Sequence, residues 1–351
     1  MVLAVDAAVF HSSFYANFTD PDSTTGRVEI AVRNEIARAT PNRMQVLAVG
    51  HSRMALRPHL ANAPELRAGY TFATIAVPGA SPRCWYYMLR DVDPSARRYA
   101  AILIPSDDYD DRDVSEDLAD RISDLHYLAA RLRITDLLEF PATYTSLENR
   151  AISTYNILLR GLIYRRDLQK FLRHPAERLE NVRAHREHSA EWNYGYTGDE
   201  RSLNGLAVDW NQRAVTFPPD LPPALRDSIR DDLFSPPPPA TGANHRFHSR
   251  WFRRIVERYR GSGTRIIFLR LPRRPVIPPA VPTPDPNGSV RVLARETGVT
   301  AIDETFFNDL ESPEWFADAL HLNAAGSIRF TRMLVQETAR ILADAGSRHA
   351  L

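Results

Sequence analysis

Cysteine and lysine are almost missing from this chain. Cys84 is the single cysteine in 351 residues, which excludes an intramolecular disulfide and a cysteine-based zinc site. Beside Trp85 and Tyr86 it reads as a packed core thiol, and it leaves the redox compartment open. Lys170 is the single lysine, so the basic residues are almost all arginine, a bias that reads as genome composition. Charge of one sign is not in excess either: 44 basic residues face 43 acidic ones, for a net charge of +1. Nucleic acid is therefore not an expected partner, since its footprint is a basic excess or stripe. No apolar run approaches the roughly 18 residues that span a bilayer. No repeat with a period of about 20–50 residues appears. The start, MVLAVDAAVFHSSFYANF, lacks the basic opening and small-residue cleavage site of a signal peptide. It leaves open a longer hydrophobic segment absent from this sequence, and membrane association through it.

What is present is a large apolar fraction, 44 %, in a chain long enough for one large domain or two small ones. Helical spacing over Val28, Val32 and Ile36 gives way to the strand QVLAVG. RMALRPHLANA reads as a short helix interrupted at Pro58. YTFATIAVPGAS is a second strand, CWYYMLRDV a helix, and YAAILIPSDD a third strand. Largely apolar strands in β-α-β-α-β order predict a parallel sheet covered on both faces. Residues 114–139 read as helical. From about 141 to 244 the composition shifts to aromatic, charged and proline-rich stretches, with SPPPPATG as a polyproline-like connector. The pattern resumes with the helix SRWFRRIVERYR, the strand TRIIFLRLP, the helix VRVLARETG, the short strand VTAIDE and a last helix ending at Gly346. The expectation is a three-layer α/β/α, flavodoxin-like parallel sheet of about five strands. Residues 1–40 form an N-terminal extension and helix, 41–140 and 245–351 the core, and 141–244 a mostly helical and irregular insertion.

Ligands of open parallel sheets bind beyond the carboxyl ends of the strands. Those ends present Gly50-His51-Ser52-Arg53, Pro78-Gly79-Ala80 and Ser106-Asp107-Asp108, and FADALHLNAAG precedes the last helix. A serine nucleophile needs a base, a group that orients the base, and donors for the oxyanion. Ser52, His321 and Asp318 fill the first three roles, with the Ser52 and Gly79 amides as donors. Asp318 and His321, at i and i+3, share one side of a helical turn. The serine is not on a GxSxG elbow. Structural alternatives stand beside each: Ser52 as a helix cap, Asp318 as a charge at a helix start, His321 as a satisfied structural histidine.

VGHSR, VPGAS and DALHLN, in that order, resemble the first, second and fifth blocks of the SGNH (GDSL-like) hydrolase superfamily, framing about 200 residues outside the insertion. GHSR, PGASPR and DxxHLNxxG resemble envelope-associated bacterial members in particular, including proteins related to polysaccharide O-acetylation. The resemblance implies an esterase, deacetylase or O-acyltransferase that needs no cofactor and no metal. Its catalytic residues would be Ser52, Asp318 and His321. Its substrate would be a small-molecule or polysaccharide acyl ester, and its setting extracytoplasmic or membrane-associated. Two departures stand out. His51 occupies a place where Asp is common, and the third block's asparagine has no counterpart in IPSDDYDD. One lost oxyanion donor costs about 10²–10³ in rate. Ser106 or Arg53 would substitute for it, or Arg53 or Arg83 would neutralise Asp107. Otherwise the domain is degenerate and binds a polysaccharide or partner protein. A flavodoxin-like nucleotide module is a third reading, weakened by the lack of a glycine-rich phosphate loop.

Other motifs fail on inspection. Counting from Asp107, the acidic run has Arg112 where a calcium loop needs Gly, and Leu118 where it needs Glu. His185 and His188 have no third ligand pattern nearby. GSGTR lacks the lysine and following helix of a phosphate loop. Trp192, Tyr194, Tyr196 and Trp210 are either packing residues or one wall of a carbohydrate cleft.

Overall fold

A computed structural model describes residues 1–12, 14–38, 44–112, 118–187, 200–235, 242–278 and 283–348. His188, Trp192, Tyr194, Tyr196 and the connector at 236–241 lie outside them. Two compact units are formed. One comprises Met1–Thr40, Gly79–Ser95 and Asp117–Tyr194, the other Pro41–Pro78, Ala96–Glu116 and Gly195–Leu351.

The second unit holds the sheet. Strands β1 (Gln45–Gly50), β2 (Thr71–Ala76), β3 (Ala101–Ser106), β6 (Arg265–Arg270) and β7 (Val299–Ala301) pair in the order β2-β1-β3-β6-β7. All four pairings are parallel. Counted within the sheet this is 2-1-3-4-5, the flavodoxin-like doubly wound order. β1 and β3 are buried at every position, which is why their sequences show no alternation. One face, carrying Val46, Ala48, Leu103, Ile267 and Leu269, is covered by Phe330, Leu334 and Leu342 of the helix Ala324–Arg348. The opposite face meets the helix Gly242–Tyr259, where Phe252 sits edge-on to Phe268 with ring centroids 5.1 Å apart. The expected three-layer α/β/α arrangement is therefore present.

The same unit contains a short antiparallel pair, β4 (Ala207–Asp209) and β5 (Ala214–Thr216), followed by the helix Pro223–Phe234. Leu203, Leu206, Leu221, Ile229 and Leu233 of this region form an apolar cluster with Phe316 and Ala319. Trp210 packs against the same cluster, edge-on to Phe234, so packing is the role the structure gives it.

The other unit is helical, with Thr24–Ala37, Pro82–Val92, Leu147–Leu158, Gly161–Arg173 and Pro175–Glu187 as its longer helices. Ser23 and Ser81 cap the first two, accepting from Gly26 N and Cys84 N.

Three local expectations are corrected. Within the described part of 114–139 only Asp124–Tyr127 and the single turn Ile134–Asp136 are helical. Asp136 accepts from the Arg133 amide and from Arg90, and such side-chain bonds compete with helix continuation. Pro58 does not interrupt a helix but starts one, Pro58–Ala61, at the position where its missing N–H costs nothing. The last helix runs through Gly346 to Arg348. Among the described residues no helix is long and apolar enough to cross a membrane.

Candidate active site

The end of β1 is shaped by what Gly50 lacks. A Cβ there would lie 2.5 Å from Met54 Cβ and 2.8 Å from Pro105 Cγ. Only glycine lets the chain leave the strand between β3 and the following turn. Gly50→Ala is expected to cost about 1–3 kcal/mol of stability through overpacking, read as a lower urea midpoint with an unchanged slope; an unmoved midpoint would contradict the close approach.

Ser52 opens the short helical turn Ser52–Met54. The first amide of such a turn has no partner within the turn. His51 caps it, with Nδ1 accepting from Arg53 N at 3.3 Å. The hydroxyl of Ser52 lies 2.9 Å from His321 Nε2. On the far side of the ring, His321 Nδ1 lies 2.9 Å from Asp318 Oδ2 and 3.1 Å from Oδ1. Ser52, His321 and Asp318 are thus brought together in the order a nucleophile, base and orienting carboxylate require.

Asp318 and His321 do not sit on a helical turn as their spacing suggested. Phe316 and Leu322 form an antiparallel bridge, and Ala317 N donates to His321 O at 2.9 Å, closing a hairpin-like loop. Asp318 Oδ1 accepts from Leu320 N and His321 N at 2.8 and 2.7 Å, so the carboxylate fixes the loop that carries its own histidine. Burial pushes the Asp318 carboxyl up, but the His321 hydrogen bond and charge and the two amides outweigh it, leaving its pKa below the usual aspartate range. Beneath the loop lies the cluster of Phe316, Ala319, Ile229 and Leu233. Asn323 then caps the last helix, its Oδ1 accepting from Gly326 N at 2.9 Å.

Ser52, Arg53, Pro272, Leu320, His321, Leu322 and Phe330 are among the walls of an open cleft. Arg53 donates to Asp107 and, through its other terminal nitrogen, to the carbonyl of Pro272 at 2.7 Å. The pair is 9 % and 15 % exposed, buried enough that the Asp107 charge is neutralised locally. Ser106 donates its hydroxyl to the carbonyl of Asp108. Asp108 itself is raised to about 6, first by burial and against the pull of two backbone amides.

Gly79 belongs to the helical unit. Its φ is +71°, and a Cβ would fall 2.4 Å from the Tyr127 hydroxyl, so conformation and space both demand glycine. Its carbonyl accepts from Arg121 at 2.7 Å, and Arg121 is itself held by Asp124. The carboxylate of Asp124, wholly buried, also takes the Ser81 hydroxyl at 2.8 Å and pairs with Arg83 at 3.3 Å.

Sequence reasoning passed over the residues beyond β6. Glu311, buried, accepts from Arg270, from Arg273 and from the Arg273 amide, and this network holds the chain on either side of Pro272. The signal was available: LPRRP follows the carboxyl end of a parallel strand. Among the described residues no cluster of three or more His, Cys, Asp or Glu side chains is suited to a metal ion. Neither protein-family models nor curated proteins give a match to this chain.

Proposed function

We propose that the protein is a serine-dependent acyl-ester hydrolase or O-acyltransferase of the SGNH type. The observation that carries this reading is the contact of Ser52 Oγ with His321 Nε2 at 2.9 Å, backed by Asp318 on Nδ1. Ser52 Oγ attacks the ester carbonyl and its proton passes to His321 Nε2. The tetrahedral adduct collapses to an acyl-Ser52 as His321 gives that proton to the departing alkoxide. Water or a sugar hydroxyl then attacks, again deprotonated by His321, and Ser52 recovers its proton. Asp318 stays ionised throughout and stabilises the imidazolium. The Ser52 amide is one oxyanion donor.

One observation favours a second reading, a degenerate domain that binds an acylated polysaccharide or a partner protein. The Ser106 hydroxyl and both terminal nitrogens of Arg53 already have protein acceptors, so neither readily stands in for the missing asparagine. Labelling with a fluorophosphonate, read by peptide mass spectrometry, separates the two. Modification confined to Ser52 and lost in His321→Ala supports the enzyme. No labelling of folded protein favours the binding domain, and label on another serine would mean that the site is wrong.

A further inference from the structure

We propose that Phe330, Ala55 and Leu322 close the Ser52 cleft into a slot for a single methyl group, so that the acyl group transferred is acetyl and Phe330 is the side chain that excludes longer chains. The inference rests on the acyl-transfer reading of the same cleft and names its acyl group and the residues that select it.

The walls of the cleft divide by chemistry. Ser52, His321 and Arg53 supply reacting and charged groups, while Ala55, Leu320, Leu322 and Phe330 are apolar. The least exposed walls are Ala55, Ser327 and Phe330, at 6 %, 5 % and 1 %, and these form the floor. Ser327 and Phe330 stand three apart on the helix Ala324–Arg348 and so share a face. The room left is about 20 Å³. That holds one water-sized group, and is far short of the roughly 150 Å³ that admits a benzene ring. A methyl is the hydrocarbon group of that size.

The fold holds each of these walls in place. Ala55 N donates to Ser52 O at 3.4 Å, which fixes the small side chain at 55 one turn from the nucleophile. Leu322 adjoins His321 and is pinned by its bridge to Phe316. Phe330 belongs to the core cluster on one face of the sheet, its ring centroid 4.9 Å from that of Phe307. Side chains packed in this way yield to an added methylene only at a cost. The acyl group is assigned to this end because it stays on Ser52 through both half-reactions. The alcohol must leave, and water or a sugar hydroxyl must enter, so the group that exchanges needs the open side and the group that stays fits the floor.

The test is a series of para-nitrophenyl esters, acetate, propionate and butyrate, in which the leaving group is constant. Wild-type kcat/KM is expected to fall roughly 10- to 200-fold with the first added methylene, the range for one methylene in an apolar pocket. Phe330→Ala should raise the butyrate-to-acetate ratio by about tenfold or more. Leu322→Ala, which leaves Phe330 in the core, should raise it in the same direction and keeps the test open should the first variant not fold. A wild-type ratio within twofold of unity overturns the proposal, as does a ratio that neither variant changes. Sulfonylation of Ser52 by methanesulfonyl and butanesulfonyl fluoride, read by peptide mass spectrometry, needs no second half-reaction. With each rate taken relative to the reagent's own hydrolysis, faster modification by the methyl reagent, relaxed in Leu322→Ala, supports the slot. A Ser52 that takes the fluorophosphonate but reacts equally with both sulfonyl fluorides overturns the slot and leaves acyl transfer standing. No label on Ser52 from any of the three reagents removes the slot together with the acyl-transfer reading.

Discussion

Ser52→Ala and His321→Ala are each expected to lower ester turnover by about 10⁴–10⁶, and the double variant by no more than either alone. The reason is geometric. Ser52 Oγ lies 2.9 Å from His321 Nε2, and the proton transfer between them needs both partners. Asp318→Asn should cost less, about 10⁴. The amide keeps an oxygen that can accept from Leu320 N and His321 N, so the loop survives. What is lost is the charge that steadies the imidazolium and fixes its tautomer. The low pKa of Asp318 carries a stability term of known sign. A carboxyl held below its unfolded value stabilises the fold above that value, and the contribution disappears as pH falls through the lower, folded one. Asp318→Asn should therefore flatten the acid side of the stability profile while abolishing most turnover. Losses that add in the double variant, measured as kcat on one ester, would show that the two residues do not act as a unit.

Part of the molecule was legible in its sequence. β1 and β3 were readable because strands buried at every position are written as largely apolar runs with abrupt polar ends, and β2, at the sheet edge with Thr71 exposed, because its remaining positions are mostly apolar or β-branched. Ser52 and His321, 269 positions apart, were readable because each stands at such a boundary. The loop geometry of Asp318 was not: a spacing of three fits a helical turn and an aspartate-capped hairpin loop equally well, and the bridge between Phe316 and Leu322 decides for the second. β4 and β5, three residues each, are too short for any period to show. Residues 118–139 carry helix-forming composition but also Asp124 and Asp136, whose carboxylates are drawn to Arg83 and Arg90, arginines distant in sequence. Glu311 was invisible for a different reason. One glutamate among many becomes significant only when the fold turns it inward onto arginines about 40 positions away.

Glu311 yields the largest stability effect expected outside the Ser52, His321 and Asp318 cluster. Its side chain is fully buried, and so nearly is that of Arg270, at 2 % exposure. Arg270 places its remaining donors on the Glu304 carbonyl and Asn308, so the pair is well satisfied. Glu311→Gln leaves a buried guanidinium without its counter-charge, a loss of about 3–5 kcal/mol. Arg273 contributes less to that figure, because at 30 % exposure it can turn to water. Replacing both buried partners, Arg270→Met with Glu311→Leu, should return most of the stability, since it is the orphaned charge and not the absence of the pair that is expensive. The pH profile offers an independent reading. Burial raises the Glu311 carboxyl, but the hydrogen bond and charge of Arg273 and the charge of Arg270 pull it below the usual glutamate range. Its contribution is therefore complete above the unfolded value and is lost as pH falls through the folded one, so the glutamine variant should lose less on acidification than the wild type does. The consequence reaches the cleft. Glu311 also accepts from the Arg273 amide at 2.9 Å, which fixes the backbone one residue beyond the Pro272 carbonyl that holds Arg53. A protein that unfolds at lower urea concentration and also loses kcat/KM at temperatures where it remains folded would show that this buried pair sets the cleft wall. Equal unfolding midpoints in wild type and Glu311→Gln would remove the pair from the stability account.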